Sequence, residues 1–206
     1  PPSACSKRPR RWLAAPVKAP FSWPNSSDSI RSLGIAAMFS AMNGAAVGLG
    51  LTFALQWDIR VVNESAKYGF VFTRRGLIPE QNSLWLLPKL VGLATATELL
   101  LTGRLFTGAE AKELGIAAHA VPGDEVLDTA LEIARDIADN TAPAAVGLTK
   151  ELLYEFLEES DREPAFHREW EIFRAIGRQP DSAEGVAAFV EKRSPAFTSG
   201  KDYEVT

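Results

Sequence analysis

Apolar and polar positions divide the chain into two regimes. From Ile35 to Met42 almost every residue is small or apolar, which predicts a buried strand. Asn43-Gly44 then marks a turn. Beyond it Val47, Leu51, Ala54 and Leu55 recur at helical spacing, and Gly48 and Gly50 sit where that helix opens. A helix start leaves backbone N–H groups without intrahelical partners and carries a partial positive charge. Glycines there let a ligand approach those groups closely. The same pattern also fits a plain strand–turn–helix packed by small residues.

From Ser83 onward the spacing is mostly helical. A helix is expected over 94–101. Thr107 is placed to cap a short helix, with Glu110 three residues later completing a capping box and Gly115 closing it. Residues 116–121 read as a short strand. Leu127, Ala130, Leu131, Ala134 and Ile137 form one amphipathic stripe, and Val146, Leu152, Leu153, Phe156 and Leu157 another. Phe166, Trp170 and Phe173 share a face between Pro164 and Gly177, and a last helix is expected over 182–192.

Composition narrows this picture at the N-terminal end. Residues 1–31 hold six Lys and Arg side chains against one Asp, and prolines at 1, 2, 9, 16, 20 and 24 oppose regular structure. Residues 1–33 are expected to be a basic, proline-rich tail outside the folded domain, with one helical turn over 26–33. The segment is basic and poor in acids, as targeting segments are, but its prolines argue against an amphipathic transit helix, so no clear targeting signal emerges. The whole chain carries a net charge of −4, which gives no general case for nucleic acid. No stretch has the roughly 20 apolar residues that span a bilayer. One cysteine, Cys5, excludes an internal disulfide and a cysteine-rich metal site. His119 and His167 lie far apart in sequence and read as surface residues, so no metal is expected.

The run Asn43-Gly44-Ala45-Ala46-Val47-Gly48-Leu49-Gly50, followed by Ala54 and Trp57-Asp58-Ile59-Arg60, resembles the enoyl-CoA hydratase/isomerase (crotonase) family. Further blocks follow in the family's order: residues 66–70, 75–80, 86–92, 101–104, 109–115 and 189–193. The resemblance implies an α/β, crotonase-like spiral core over 34–122, incomplete in its N-terminal half, and a helical oligomerisation region over 123–206. It implies an acyl-CoA substrate, with coenzyme A entering as part of that substrate and no cofactor held permanently. It also implies a homotrimer or hexamer. The compartment stays open between cytoplasm, mitochondrion and peroxisome.

The chemistry implied is formation of a thioester enolate whose oxygen is stabilised by two backbone N–H donors. By the resemblance one donor is the amide of Leu49, flanked by Ala45, Gly48 and Gly50. The other belongs to a loop with no counterpart in residues 1–34. The family's hydratases place two glutamates around one water, and the matching positions here are Thr52 and Phe72, which line the substrate site without supplying a carboxylate. Glu80, in Ile78-Pro79-Glu80-Gln81-Asn82-Ser83, matches the stretch in which some isomerases of the family carry their base. On residues alone Glu80 is equally a loop or helix-capping carboxylate. Gln81 and Asn82 are bulkier than the residues usual after that glutamate. They either crowd the site or donate hydrogen bonds to the substrate. Phe189 and Lys192 match positions that approach the coenzyme A nucleotide of a neighbouring subunit. Three functions follow: double-bond migration through Glu80, hydration by an altered water arrangement, and binding of coenzyme A or a partner without catalysis.

Overall fold

A computed structural model describes residues 37–198. All of them belong to one of two units of the chain, Gly34–Thr206; the other unit, Pro1–Leu33, lies outside the described residues, and so do the expected tail and helical turn. In chain order the elements are β1 (Phe39–Met42), β2 (Ala46–Val47), α1 (Leu49–Leu55), β3 (Ile59–Asn63), β4 (Lys67–Gly69), α2 (Ser83–Val91), α3 (Leu93–Thr102), β5 (Leu105–Thr107), α4 (Gly108–Glu113), β6 (His119–Val121), α5 (Val126–Asn140), α6 (Pro143–Glu155), α7 (Arg162–Ile176) and α8 (Pro180–Glu191). A single 3-10 turn, Thr73–Arg75, links β4 to the loop before α2.

The strands form two small sheets. One is parallel, in the order β1-β3-β6, with Phe39 opposite Ile59 and Val61 opposite His119. The other runs β2-β4-β5, parallel between β2 and β4 and antiparallel between β4 and β5. Parallel neighbours need a crossover, and α1 supplies it between β1 and β3. Strand β3 is buried on both faces, as a central parallel strand must be. Successive side chains point to opposite faces. Val62 therefore joins the main core with Leu51, Leu55, Tyr68, Phe70, Leu87, Leu99 and Phe106, while Val61 packs on the other side against Val126 and Ala130 of α5.

Thr107 caps α4 by accepting a 3.1 Å bond from the Glu110 N–H, as its position in the sequence predicts. Two expectations need correction. The strand expected over 116–121 shortens to β6, because the Ile116 and Ala117 N–H groups both donate to Ala111 O and close α4. The stripe on α5 is only partly interior: Ala130 is buried, but Leu127 and Leu131 face outward, and Val126, outside the stripe, is buried instead. Among the described residues no helix is long and apolar enough to cross a membrane.

Asp58 ties the C-terminal helices to the sheets. Its Oδ2 accepts the Met38 N–H at 2.8 Å and pairs with Lys150 Nζ at 2.7 Å, and its Oδ1 accepts the Tyr154 hydroxyl at 3.0 Å. Burial, together with the Asp58 charge, pushes the Tyr154 hydroxyl up to about 12. Arg60 does not pair with Asp58. It is buried and donates to the carbonyls of Leu55, Trp57 and Ile116, stitching α1 to the approach of β6. Burial pushes its guanidinium below the usual arginine value.

Candidate active site

The site is built where α1 meets the loop before α2. The chain leaves β2 with the Gly48 N–H bonded to Gly69 O at 2.9 Å, the last bond of that side of the sheet. It then turns at Gly48 with φ 55° and ψ −126°, a conformation open essentially to glycine. That turn starts α1 at Leu49. The amides of Leu49 and Gly50 stand in the first helical turn, where no intrahelical acceptor exists for them. The ring of Phe72 and the side chain of Val71 lie just under Gly48.

One turn along α1 sits Thr52, fully buried. Its hydroxyl donates to Glu80 Oε1 at 2.8 Å. The same oxygen lies 3.2 Å from Leu49 O. Only one hydroxyl proton exists, and a bond to a carboxylate is the stronger of the two. Thr52 therefore holds the Glu80 carboxylate against α1, one turn along from its first residue, Leu49. Two residues singled out separately in the sequence, Thr52 and Glu80, are thus hydrogen-bonded partners.

The loop that carries Glu80 is held from several sides. Its backbone carbonyl accepts from the Ser83 hydroxyl at 2.7 Å and from the Ser83 N–H at 3.2 Å. Ser83 is fully buried. Gln81 and Asn82 follow with φ 52° and 55°, two consecutive non-glycine residues in the left-handed region. Each such residue costs about 1–3 kcal/mol, so the surroundings must impose the turn. Asn82 opens α2, its carbonyl accepting from the Trp85 and Leu86 N–H groups, both at 3.1 Å. From the C-cap of α1, the Gln56 side chain donates to Gln81 O at 2.6 Å and to Thr52 O at 3.3 Å. The sequence reading overlooked Gln56 and Ser83. The signal for Gln56 was its place four residues after Thr52, a second polar side chain on the same face of an otherwise apolar helix.

Other nominated residues are placed as follows. Ala45 and Gly50 are exposed, Gly48 is buried, and Phe72 belongs to the main core. The elements around Glu80 display apolar side chains: Leu49 and Phe53 on α1, Leu77 and Ile78 before the acid, and Leu84 after it. Glu80 itself is exposed. Phe189 and Lys192 stand apart from this constellation. Phe189 is 85% exposed on α8 and lines a largely apolar cavity of about 390 Å³ with Ala142, Ile176 and Phe197. Lys192 is exposed and closes α8 with φ 55°. Residues 1–34, where the sequence holds no counterpart of the second donor loop, lie outside the described residues.

Residues 28–200 match the family model described as enoyl-CoA hydratase/isomerase. An enoyl-CoA hydratase of Alternaria alternata is 39% identical over 159 residues, covering 77% of this chain and 53% of that protein. The 1,2-epoxyphenylacetyl-CoA isomerase of Escherichia coli K12 is 38% identical over 159 residues, covering 77% of this chain and 60% of that one. The chain thus spans little more than half the length of these curated relatives. Among solved structures, the enoyl-CoA hydratase of Bacillus anthracis superposes with a TM-score of 0.77 at 34% identity, over 84% of this chain and 66% of that one.

Proposed function

The chain belongs to the enoyl-CoA hydratase/isomerase family, and on that basis we propose that it moves a carbon–carbon double bond in an acyl-CoA thioester, with Glu80 as the single acid–base group. The Glu80 carboxylate takes a proton from the α-carbon of a 3-enoyl thioester. The electron pair delocalises into a dienolate, with its charge on the thioester oxygen. The Leu49 N–H stabilises that charge as one oxyanion donor. Glu80, now protonated, returns the same proton to the γ-carbon, and the double bond ends conjugated with the carbonyl. No atom is gained or lost, so one carboxylate suffices.

The observation that supports this reading is the 2.8 Å bond from Thr52, which holds the acid at the helical turn bearing the Leu49 amide. Hydration through two glutamates is disfavoured, since Thr52 and Phe72 occupy their positions. The exposed apolar residues around Glu80 suit an acyl chain, whose own bulk would keep water from the carboxylate. Phe189 and Lys192 serve the coenzyme A nucleotide of a neighbouring protomer in a homotrimer or hexamer. The exposed aromatic face of α7, with Phe166, Trp170 and Phe173, supports assembly of that kind.

The test is Glu80→Gln. A general acid–base group contributes about 10²–10⁴-fold, so turnover of a 3-enoyl-CoA should fall by at least about a hundredfold while acyl-CoA binding by calorimetry is retained. Unchanged turnover would rule out Glu80 as the base. Binding without any double-bond migration in the unaltered chain would favour a coenzyme A-binding subunit instead.

A further inference from the structure

We propose that Gln56 is a positioning residue that holds the Glu80 carboxylate in register with the opening turn of α1; this rests on the reading of Glu80 as the base. Three features carry it. First, α1 closes tightly, with the Gln56 N–H donating to Phe53 O and the Trp57 N–H to Ala54 O. The Gln56 side-chain amide reaches back to Thr52 O at 3.3 Å and outward to Gln81 O at 2.6 Å, so its two N–H groups span from helix to loop. Second, the loop it grips is strained beyond the Ser83 bonds that close it on Glu80 O. Gln81 and Asn82 both sit at positive φ, where a chain with ordinary side chains resists staying. Third, the residue before that pair is Glu80, and the residue one turn before Gln56 is Thr52, which holds the Glu80 carboxylate. Thr52 and Gln56 thus grip the loop at two successive points from one helix face. Thr52 takes the side chain of residue 80, and Gln56 takes the backbone of residue 81. Release of the second grip lets the peptide after Glu80 relax toward an unstrained conformation and draws the carboxylate off the Thr52 hydroxyl.

Gln56→Met keeps the length of the side chain and removes both donors. It should lower kcat for double-bond migration about tenfold or more, since small misplacement of a reacting group is costly, while KM stays within about twofold. Gln56→Lys restores a donor and should recover most of the lost kcat, which a purely packing role would not allow. Added to Glu80→Gln, Gln56→Met should cost nothing further, because both act through one carboxylate. Hydrogen exchange gives a readout that needs no turnover: in Gln56→Met the Ser83 amide, bonded to Glu80 O, should exchange about tenfold faster while the Leu99 amide in α3 is unchanged. Wild-type exchange at Ser83, or wild-type kcat in Gln56→Met, overturns the proposal. Turnover that survives Glu80→Gln overturns the base assignment instead, and leaves the exchange rate to decide whether the brace exists.

Discussion

Gly48→Ala isolates the turn on which the position of the Leu49 amide depends. A Cβ built at residue 48 meets Val71 Cγ2 at 3.8 Å and Phe72 Cζ at 3.9 Å, which is ordinary contact. Steric overlap therefore contributes nothing, and the cost is conformational. A residue with a side chain held at φ 55° and ψ −126° is strained by about 1–3 kcal/mol. Alanine also loses less chain entropy on folding than glycine, which returns about 0.4–1 kcal/mol. The net expectation is a loss of about 1–2 kcal/mol. In a chain of this size each kcal/mol moves Tm by about 2–4 °C. Gly50→Ala is the internal control. Residue 50 lies within α1, and its Cβ would rest 3.8 Å from Ala46 Cβ. Helical Gly→Ala there should be neutral or stabilising by up to about 1 kcal/mol. Urea unfolding of both variants beside the parent measures the two effects under one m-value. A Gly48→Ala protein as stable as Gly50→Ala would refute the argument that this backbone position demands glycine.

Two other outcomes follow from the same geometry. Thr52→Val keeps the shape of a buried side chain and removes only the donor to Glu80; kcat should fall by about ten- to hundredfold with acyl-CoA affinity unchanged, measured by steady-state kinetics beside calorimetry. Tyr154 ionises near 12 in the folded chain and near 10 when unfolded, so its contribution to stability is complete below pH 10 and is lost as pH rises from about 10 to 12. Tyr154→Phe should therefore lose less stability than the parent over that interval in urea titrations. Equal pH slopes for the two proteins would exclude ionisation of the Tyr154 hydroxyl, raised by burial and by Asp58, as the source.

Much of the fold was legible because local signals agreed with tertiary demands. The stripe through Leu51 and Leu55, the Thr107–Glu110 cap and the helical spacing after Val126 each placed an element within a few residues of its observed position. The edges of strands were less legible. Ile116 and Ala117 have the apolarity of a strand, but their N–H groups close a helix, and apolarity does not reveal where a donor points. In the site, the pairing of Thr52 with Glu80 was invisible because it joins residues 28 apart through a side-chain bond. The left-handed pair Gln81–Asn82 was also hidden. Asn tolerates that conformation, but Gln gives no hint of it, and the contacts that hold the turn come from Gln56, Ser83 and Thr52 rather than from the pair itself. The backbone bond of Asp58, from the Met38 N–H, suits its place between α1 and β3, but nothing near it in sequence points to its cation, Lys150 on α6.

That last pairing bears on how the molecule is made. Asp58 meets Tyr154 across 96 residues of chain. On a ribosome the β-strand that follows the aspartate emerges long before its helical counterpart, and the nascent chain must wait for α6 with that carboxylate still hydrated. The clasp is a late, non-local closure, and topologies of that kind are slow to complete. Synthesis stalled before Lys150 would release a polypeptide with its strands and α5 in place but without the clasp from α6, a form that chaperones and proteases are equipped to recognise.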